Sequence, residues 1–204
     1  MTKTAILVDG GFYRKRAASL WGKKTAQDRA DELHDYAFKH IARKTDGPYE
    51  RELYRIFYYD CPPVQNVVYH PLLKKNIEFG KEETYKWTLD FFDALKRKRK
   101  VALRMGRLSD INPHFILNPE KVKKLCSGAV TIDDLQEQDF KISFMQKGVD
   151  MMMGVDISSL AAKAARRKGI DFILDPMGHG ISKDLFEHID GLEYFIDRDP
   201  QRKK

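Results

Sequence analysis

The stretch Ile6-Leu7-Val8-Asp9-Gly10-Gly11 limits the fold more than any other: a short apolar run enters an acid and then two glycines. Thr4 to Val8 carries no polar alternation, so it predicts a strand of the buried type, and the glycine pair ends it. Glu52 to Asp60 is rich in aromatic and β-branched residues and predicts a second strand, stopped by Cys61-Pro62-Pro63. That strand also ends in an acid. Further strands are predicted at Val101–Leu108, with Arg104 and Arg107 turned outward, at Phe140–Met145, at Ile170–Asp175 and at Glu193–Ile196.

Helical spacing fills the intervals. Phe12 to Leu20 predicts a helix with Arg14, Lys15 and Arg16 on its outside, and Thr25 caps a second through Leu33, Tyr36, Ala37, His40 and Ile41 that ends near Asp46-Gly47-Pro48. From Lys81 the pattern runs through Trp87, Phe91 and Leu95 into the cations Lys96–Lys100, which suit a helix C-terminus. Val149–Lys168, closed by Gly169, and Ser182–Ile189, capped by Ser182, complete the helices. Asn66–Gly80 has little periodicity and reads as a loop or insertion, and Asp110–Glu137 as an insertion rich in turn residues.

Strands of the buried type alternating with helices predict an α/β fold with a central, mostly parallel sheet. Ligands of such sheets gather at the carboxyl ends of the strands, where Asp9 and Asp60 are expected. With 204 residues, 42% of them hydrophobic, the chain can bury a core, and one domain over residues 1–197 with an insertion near 110–138 and a basic tail at 198–204 is expected.

The net charge of +7 and the pI of about 9.2 favour an anionic partner. The densest cluster is Lys96-Arg97-Lys98-Arg99-Lys100 with Arg104 and Arg107, and a solvated helix end is its plainer reading. Cys61 and Cys126 lie far apart without metal-ligand spacing, which fits a reducing, cytoplasmic setting. The first residues do not read as a charged start followed by an apolar signal segment, and no apolar run nears 18 residues, so neither secretion nor a membrane partner is expected. A phosphate-binding glycine loop, a dinucleotide fingerprint, a nucleophile elbow and a His-Glu-x-x-His pair are all missing.

What remains is acids. Lys147-Gly148-Val149-Asp150-Met151-Met152-Met153-Gly154-Val155-Asp156 sets two aspartates in an apolar run. Carboxylates without a matching cysteine or histidine cluster suit a hard cation, Mg2+ or Mn2+, which takes oxygen ligands and keeps waters for a substrate and a nucleophile. Each acid also has a plainer role: Asp9 as a helix N-cap, Asp150 as a partner of its helix's positive end, Asp60 as a turn cap. Six residues on an ideal helix turn Asp156 about 240° away from Asp150, which makes it the weaker ligand.

Ala5 to Tyr13, the strand Arg55–Asp60, the run Gln146–Asp156 and the closing Gly169–Phe172 to Asp190 together resemble NYN domains, members of the PIN-like nucleases. The resemblance covers most of the chain in the same order. It implies a PIN-like three-layer sandwich, a site of acids holding Mg2+ or Mn2+, and hydrolysis of single-stranded RNA, with Asp9, Asp150 and Asp156 as site acids and Asp60 a further ligand. Lys96, Arg97, Lys98, Arg99, Lys100, Arg104 and Lys147 would then hold the RNA backbone. A homo-oligomer is compatible with this reading.

One departure stands out. NYN domains carry another strand, ending in a Gly-Asp-Ser-Asp-Phe-like motif, before their last helix and strand. Here Ser158-Ser159-Leu160-Ala161 runs directly into Ala162–Gly169, so a strand and one acid are missing. A non-catalytic RNA-binding or assembly protein is the alternative this gap leaves open, and a nucleotide binder at the same strand ends is a third.

Overall fold

The computed structural model describes residues 2–42, 51–109, 112–165 and 170–196. The chain forms two compact units, Met1–Met153 and Gly154–Lys204. In the first, β1 (Thr2–Asp9) leads into α1 (Gly10–Trp21) and α2 (Ala26–Ala42), then β2 (Arg51–Asp60). A hairpin of β3 (Val67–His70) and β4 (Lys75–Glu78) precedes α3 (Glu83–Lys96), β5 (Val101–Met105) and β6 (Arg107–Leu108). β7 (His114–Leu117), α4 (Pro119–Cys126), β8 (Phe140–Ser143) and β9 (Gln146–Lys147) follow. The next helix, α5 (Val149–Ala165), begins in this unit and continues into the second, which holds β10 (Ile173–Leu174), α6 (Lys183–Phe186) and β11 (Gly191–Leu192), the two strands parallel.

β1, β2 and β5 form a three-stranded parallel sheet in the order β1-β2-β5, as the strand–helix alternation predicts for an α/β fold. β2 is its centre. Ile56, Tyr58 and Asp60 alternate with Phe57 and Tyr59, and all five are buried, so both faces of the strand are covered. The Tyr58 ring lies 5.6 Å from Phe91 and 6.3 Å from Phe92 of α3, both edge-on, which ties the middle strand to that helix. Trp87 stacks on Phe91 at 5.2 Å and donates its indole N–H to the Lys24 carbonyl at 2.9 Å, linking α3 to the α1–α2 connection.

Several expectations are revised. Asn66–Gly80 is not a plain loop: its two four-residue strands are too short for their alternation to stand out, but Val68 and His70 point inward while Val67 and Tyr69 face out. Val101–Leu108 is two strands broken at Gly106, whose N–H donates to the Asp60 carbonyl at 2.8 Å. The 110–137 region holds β7 and a short helix that Asn118 caps through the Glu120 N–H. Phe140–Met145 ends its pairing at Ser143, Ile170–Asp175 pairs only at Ile173–Leu174, and the last strand is Gly191–Leu192 rather than Glu193–Ile196. Asp46-Gly47-Pro48, the 166–169 helix end and the 198–204 tail lie outside the described residues. Among the described residues no helix is long and apolar enough to cross a membrane.

Gly10, the first residue of α1, must lack a side chain. A Cβ there would lie 2.6 Å from Asp60 Oδ2 and equally close to the Tyr58 ring and hydroxyl. Gly10→Ala is therefore expected to destabilise the chain by about 2 kcal/mol in urea unfolding, although alanine favours a helix. Gly154→Ala, in α5 with open space around it, is the control and should not destabilise.

Candidate functional site

The carboxyl end of the parallel sheet opens into a cleft of about 360 Å³. Asp9 and Asp60 reach it from β1 and β2, and Gln146, Gly148 and Asp150 from β9 and the start of α5. One tight approach and one left-handed turn bring these segments together. A Cβ on Gly106 would meet the Lys147 carbonyl at 2.7 Å and Val149 Cγ2 at 2.8 Å, so only glycine lets β9 and α5 lie this close. Gly148 then turns the chain into α5 with a φ of 86°, a left-handed value that side chains disfavour.

Asp9 caps α1. Its Oδ1 accepts from the Phe12 N–H at 2.9 Å, and the side chain is otherwise exposed to the cleft. Asp150 stands in the first turn of α5, where the helix's positive end favours a carboxylate. The plainer roles weighed for these two acids are thus real, and both residues nevertheless line the same cleft.

Asp60 is different. It is 2% exposed, and its carboxylate is surrounded by donors. Arg14 Nη2 lies 3.0 Å from Oδ1 and 2.9 Å from Oδ2, the Cys61 N–H donates to Oδ1 at 2.8 Å, and the Tyr58 hydroxyl donates to Oδ2 at 3.1 Å. Burial raises the Asp60 pKa, the largest influence, against the pull of Arg14, the Cys61 amide and the Tyr58 hydroxyl, while nearby Asp9 pushes it further up. Burial also holds the Tyr58 hydroxyl far above its ordinary value, with the Asp60 charge adding to it, so it stays a donor. Arg14 was expected on the outside of its helix; it instead turns inward because an unpaired buried carboxylate would be costly.

Asp156 lies further along α5, in the second unit. The basic cluster lies elsewhere on the sheet. Lys100 immediately precedes β5, whose parallel register runs from Val101 beside Ile56 to Met105 beside Asp60, so Lys96–Lys100 gather at the amino end, opposite the cleft. Three of its lysines are engaged: Lys96 with Asp93 at 2.8 Å, Lys98 with Asp31, and Lys100 with the Leu53 carbonyl and, at 3.9 Å, Glu52. Arg104 lies over the Phe57 ring at 5.1 Å. Near the cleft, Lys147 pairs in register with Arg107 across β6 and β9, and both side chains are exposed.

Among the described residues, no three or more His, Cys, Asp or Glu side chains are grouped to hold a metal ion. Two carboxylates on one cleft do suit Mg2+ or Mn2+ in its loosest mode, in which one or two protein carboxylates bind the ion and water and substrate phosphate complete the shell. Asp60 does not suit that role, because its oxygens already face a guanidinium. No family model, no curated protein and no solved structure matches this chain. Sequence reasoning gave no site role to Arg14, Tyr58 or Gln146, although the last two lie within the runs that carry the resemblance; the strand-end position of Asp60 was the signal that something had to pair with it.

Two outcomes follow for the Asp60 cluster. Arg14→Met leaves a buried carboxylate without its cation and should cost about 3 kcal/mol in denaturant unfolding. Because the folded pKa of Asp60 is raised, the folded chain holds that proton more tightly than the unfolded chain; its stabilising contribution is complete below the unfolded pKa and lost as pH rises through the folded one. Stability of the natural chain relative to Asp60→Asn should therefore increase as pH falls through the folded pKa of Asp60 toward its lower unfolded one, read by thermal unfolding at each pH.

Proposed function

We propose that this chain is a metal-dependent endoribonuclease of the NYN type on a PIN-like three-layer sandwich, hydrolysing phosphodiester bonds of single-stranded RNA. The observation that carries the reading is that Asp9 and Asp150, from opposite ends of the first unit, line one cleft at the carboxyl end of a parallel sheet. Asp9 and Asp150 would hold one Mg2+ or Mn2+. Such an ion, when bound, supplies charge stabilisation at the phosphate and acidifies a water.

The protein's own contribution is placement. Lys147 and Arg107 are exposed cations on the strand pair leading into the cleft, suited to holding a phosphate backbone there. The N-termini of α1 and α5 add partial positive charge from two directions. Asp60 and Arg14 act as a neutral wall behind Asp9, and Asp156 keeps its assisting role on the resemblance alone. Lys96–Lys100 would bind RNA only as a separate surface, remote from the cleft. Cys61 and Cys126 are both free thiols, in keeping with a reducing, cytoplasmic setting.

A second reading is favoured by one observation: the third acid lining the cleft, Asp60, is already paired with Arg14. On that reading the chain binds RNA without cutting it. Labelled single-stranded RNA incubated with Mn2+ should be cleaved, with at least about a hundredfold loss in EDTA, in Asp9→Asn and in Asp150→Asn. Asparagine caps a helix as well as aspartate, so Asp9→Asn keeps α1 intact. Undiminished cleavage in EDTA or in either variant would show that the proposed site is wrong. No cleavage, with binding that weakens steeply as salt rises, would establish the second reading.

A further inference from the structure

The strand β1 has a sequence suited to the middle of a sheet and a position at its edge. Within the first unit it pairs with β2 on one side only, and among that unit's described residues no strand and no backbone hydrogen bond lies on its other side. Thr4, Ala5, Ile6, Leu7 and Val8 are half-buried, whereas the central Ile56–Asp60 of β2 are fully buried. Of the devices that keep edges from pairing, β1 carries a lysine, Lys3, near one end but no proline, inward charge or bulge. The one irregularity in its pairing leaves Tyr54 of β2 as the extra residue between Leu53 and Arg55, so β1 itself runs without interruption.

We propose that the outer edge of β1 binds the same edge of a second copy of this chain, giving a two-fold dimer with one continuous six-stranded sheet. Charge complementarity identifies the occupant. Lys3 and Asp9 are the only charged residues of the strand, both are exposed, and they stand equally far from Ile6. An antiparallel pair with its two-fold axis at Ile6 sets Lys3 of each copy opposite Asp9 of the other, Thr4 opposite Val8, and Ala5 opposite Leu7. Moving the axis to Ala5 puts Lys3 opposite Leu7, and moving it to Leu7 puts Asp9 opposite Ala5. Only the Ile6 register pairs both charges, and opposite charges directly across two strands are favourable. The interface is isologous and therefore closes at two copies.

Sedimentation of the full chain in EDTA, so that no cation competes for Asp9, should give a species of twice 23.8 kDa at high protein concentration. Lys3→Gln and Asp9→Asn should each weaken the dimer, and the double variant should weaken it no further than either alone, because both remove the same pair. Lys3→Glu, which sets like charges opposite one another, should raise the dissociation constant by about tenfold or more. Lys3 is exposed and Asp9→Asn keeps the helix cap, so circular dichroism should match the natural chain in each case. A mass of 23.8 kDa at every concentration would mean that the edge stays bare or is covered from within the chain, and overturns the proposal. So would a dimer that Lys3→Glu does not weaken, or additive effects of the two neutral substitutions.

Discussion

A carboxylate nearly out of water, that of Asp60, sets the terms for everything around it. Desolvating an aspartate is tolerated only where donors replace the lost water, and here they come from three directions: Arg14 on α1, the Tyr58 hydroxyl on the same strand, and the Cys61 N–H that follows. The demand explains neighbours that otherwise look unrelated. Arg14 must turn inward, Tyr58 must keep its proton, and Gly10 must be a glycine because the Tyr58 hydroxyl and the Asp60 carboxylate occupy the space its side chain would need. The cleft owes its back wall to this arrangement.

The same arrangement separates two acids that look alike in the sequence. Asp9 and Asp60 each end a parallel strand, yet one has a single backbone partner and faces the cleft, while the other is surrounded by donors. Charge behaves similarly on a larger scale. The densest cations of the chain, Lys96–Lys100, answer local acids and carbonyls at the amino end of the sheet, whereas the less conspicuous Lys147 and Arg107 are exposed on the strand pair β6–β9, beside the cleft-lining Gln146 and Gly148. Density along a sequence measures neither free charge nor proximity to a site.

Legibility followed the length and regularity of each pattern. β1, β2 and the amphipathic helices α2 and α3 were readable because their signal repeats over many residues, and α1 and α5, with little amphipathic character, because glycines mark their ends. The hairpin at 67–78 and the short elements of 114–147 were not, since two to four residues offer no period to recognise and their pairing is set by partners distant in the chain. Gly106 shows the limit clearly: its residue type hints at a break in a strand, but its purpose, admitting Lys147 and Val149 against the sheet, exists only in three dimensions.

What the sequence determined by itself was the alternation of strands and helices, the parallel character of the sheet, and the placing of Asp9 and Asp60 at strand ends, because these depend on local periodicity and on the residues that interrupt it. The tertiary structure alone decided that Asp150 joins Asp9 at one cleft, that Asp60 is neutralised by Arg14, that the basic cluster stands at the opposite end of the sheet, and that β1, buried in its composition, lies at an edge. Each of these depends on which distant segments meet, and on the desolvation and pairing of charge where they do, quantities that no window of neighbouring residues contains.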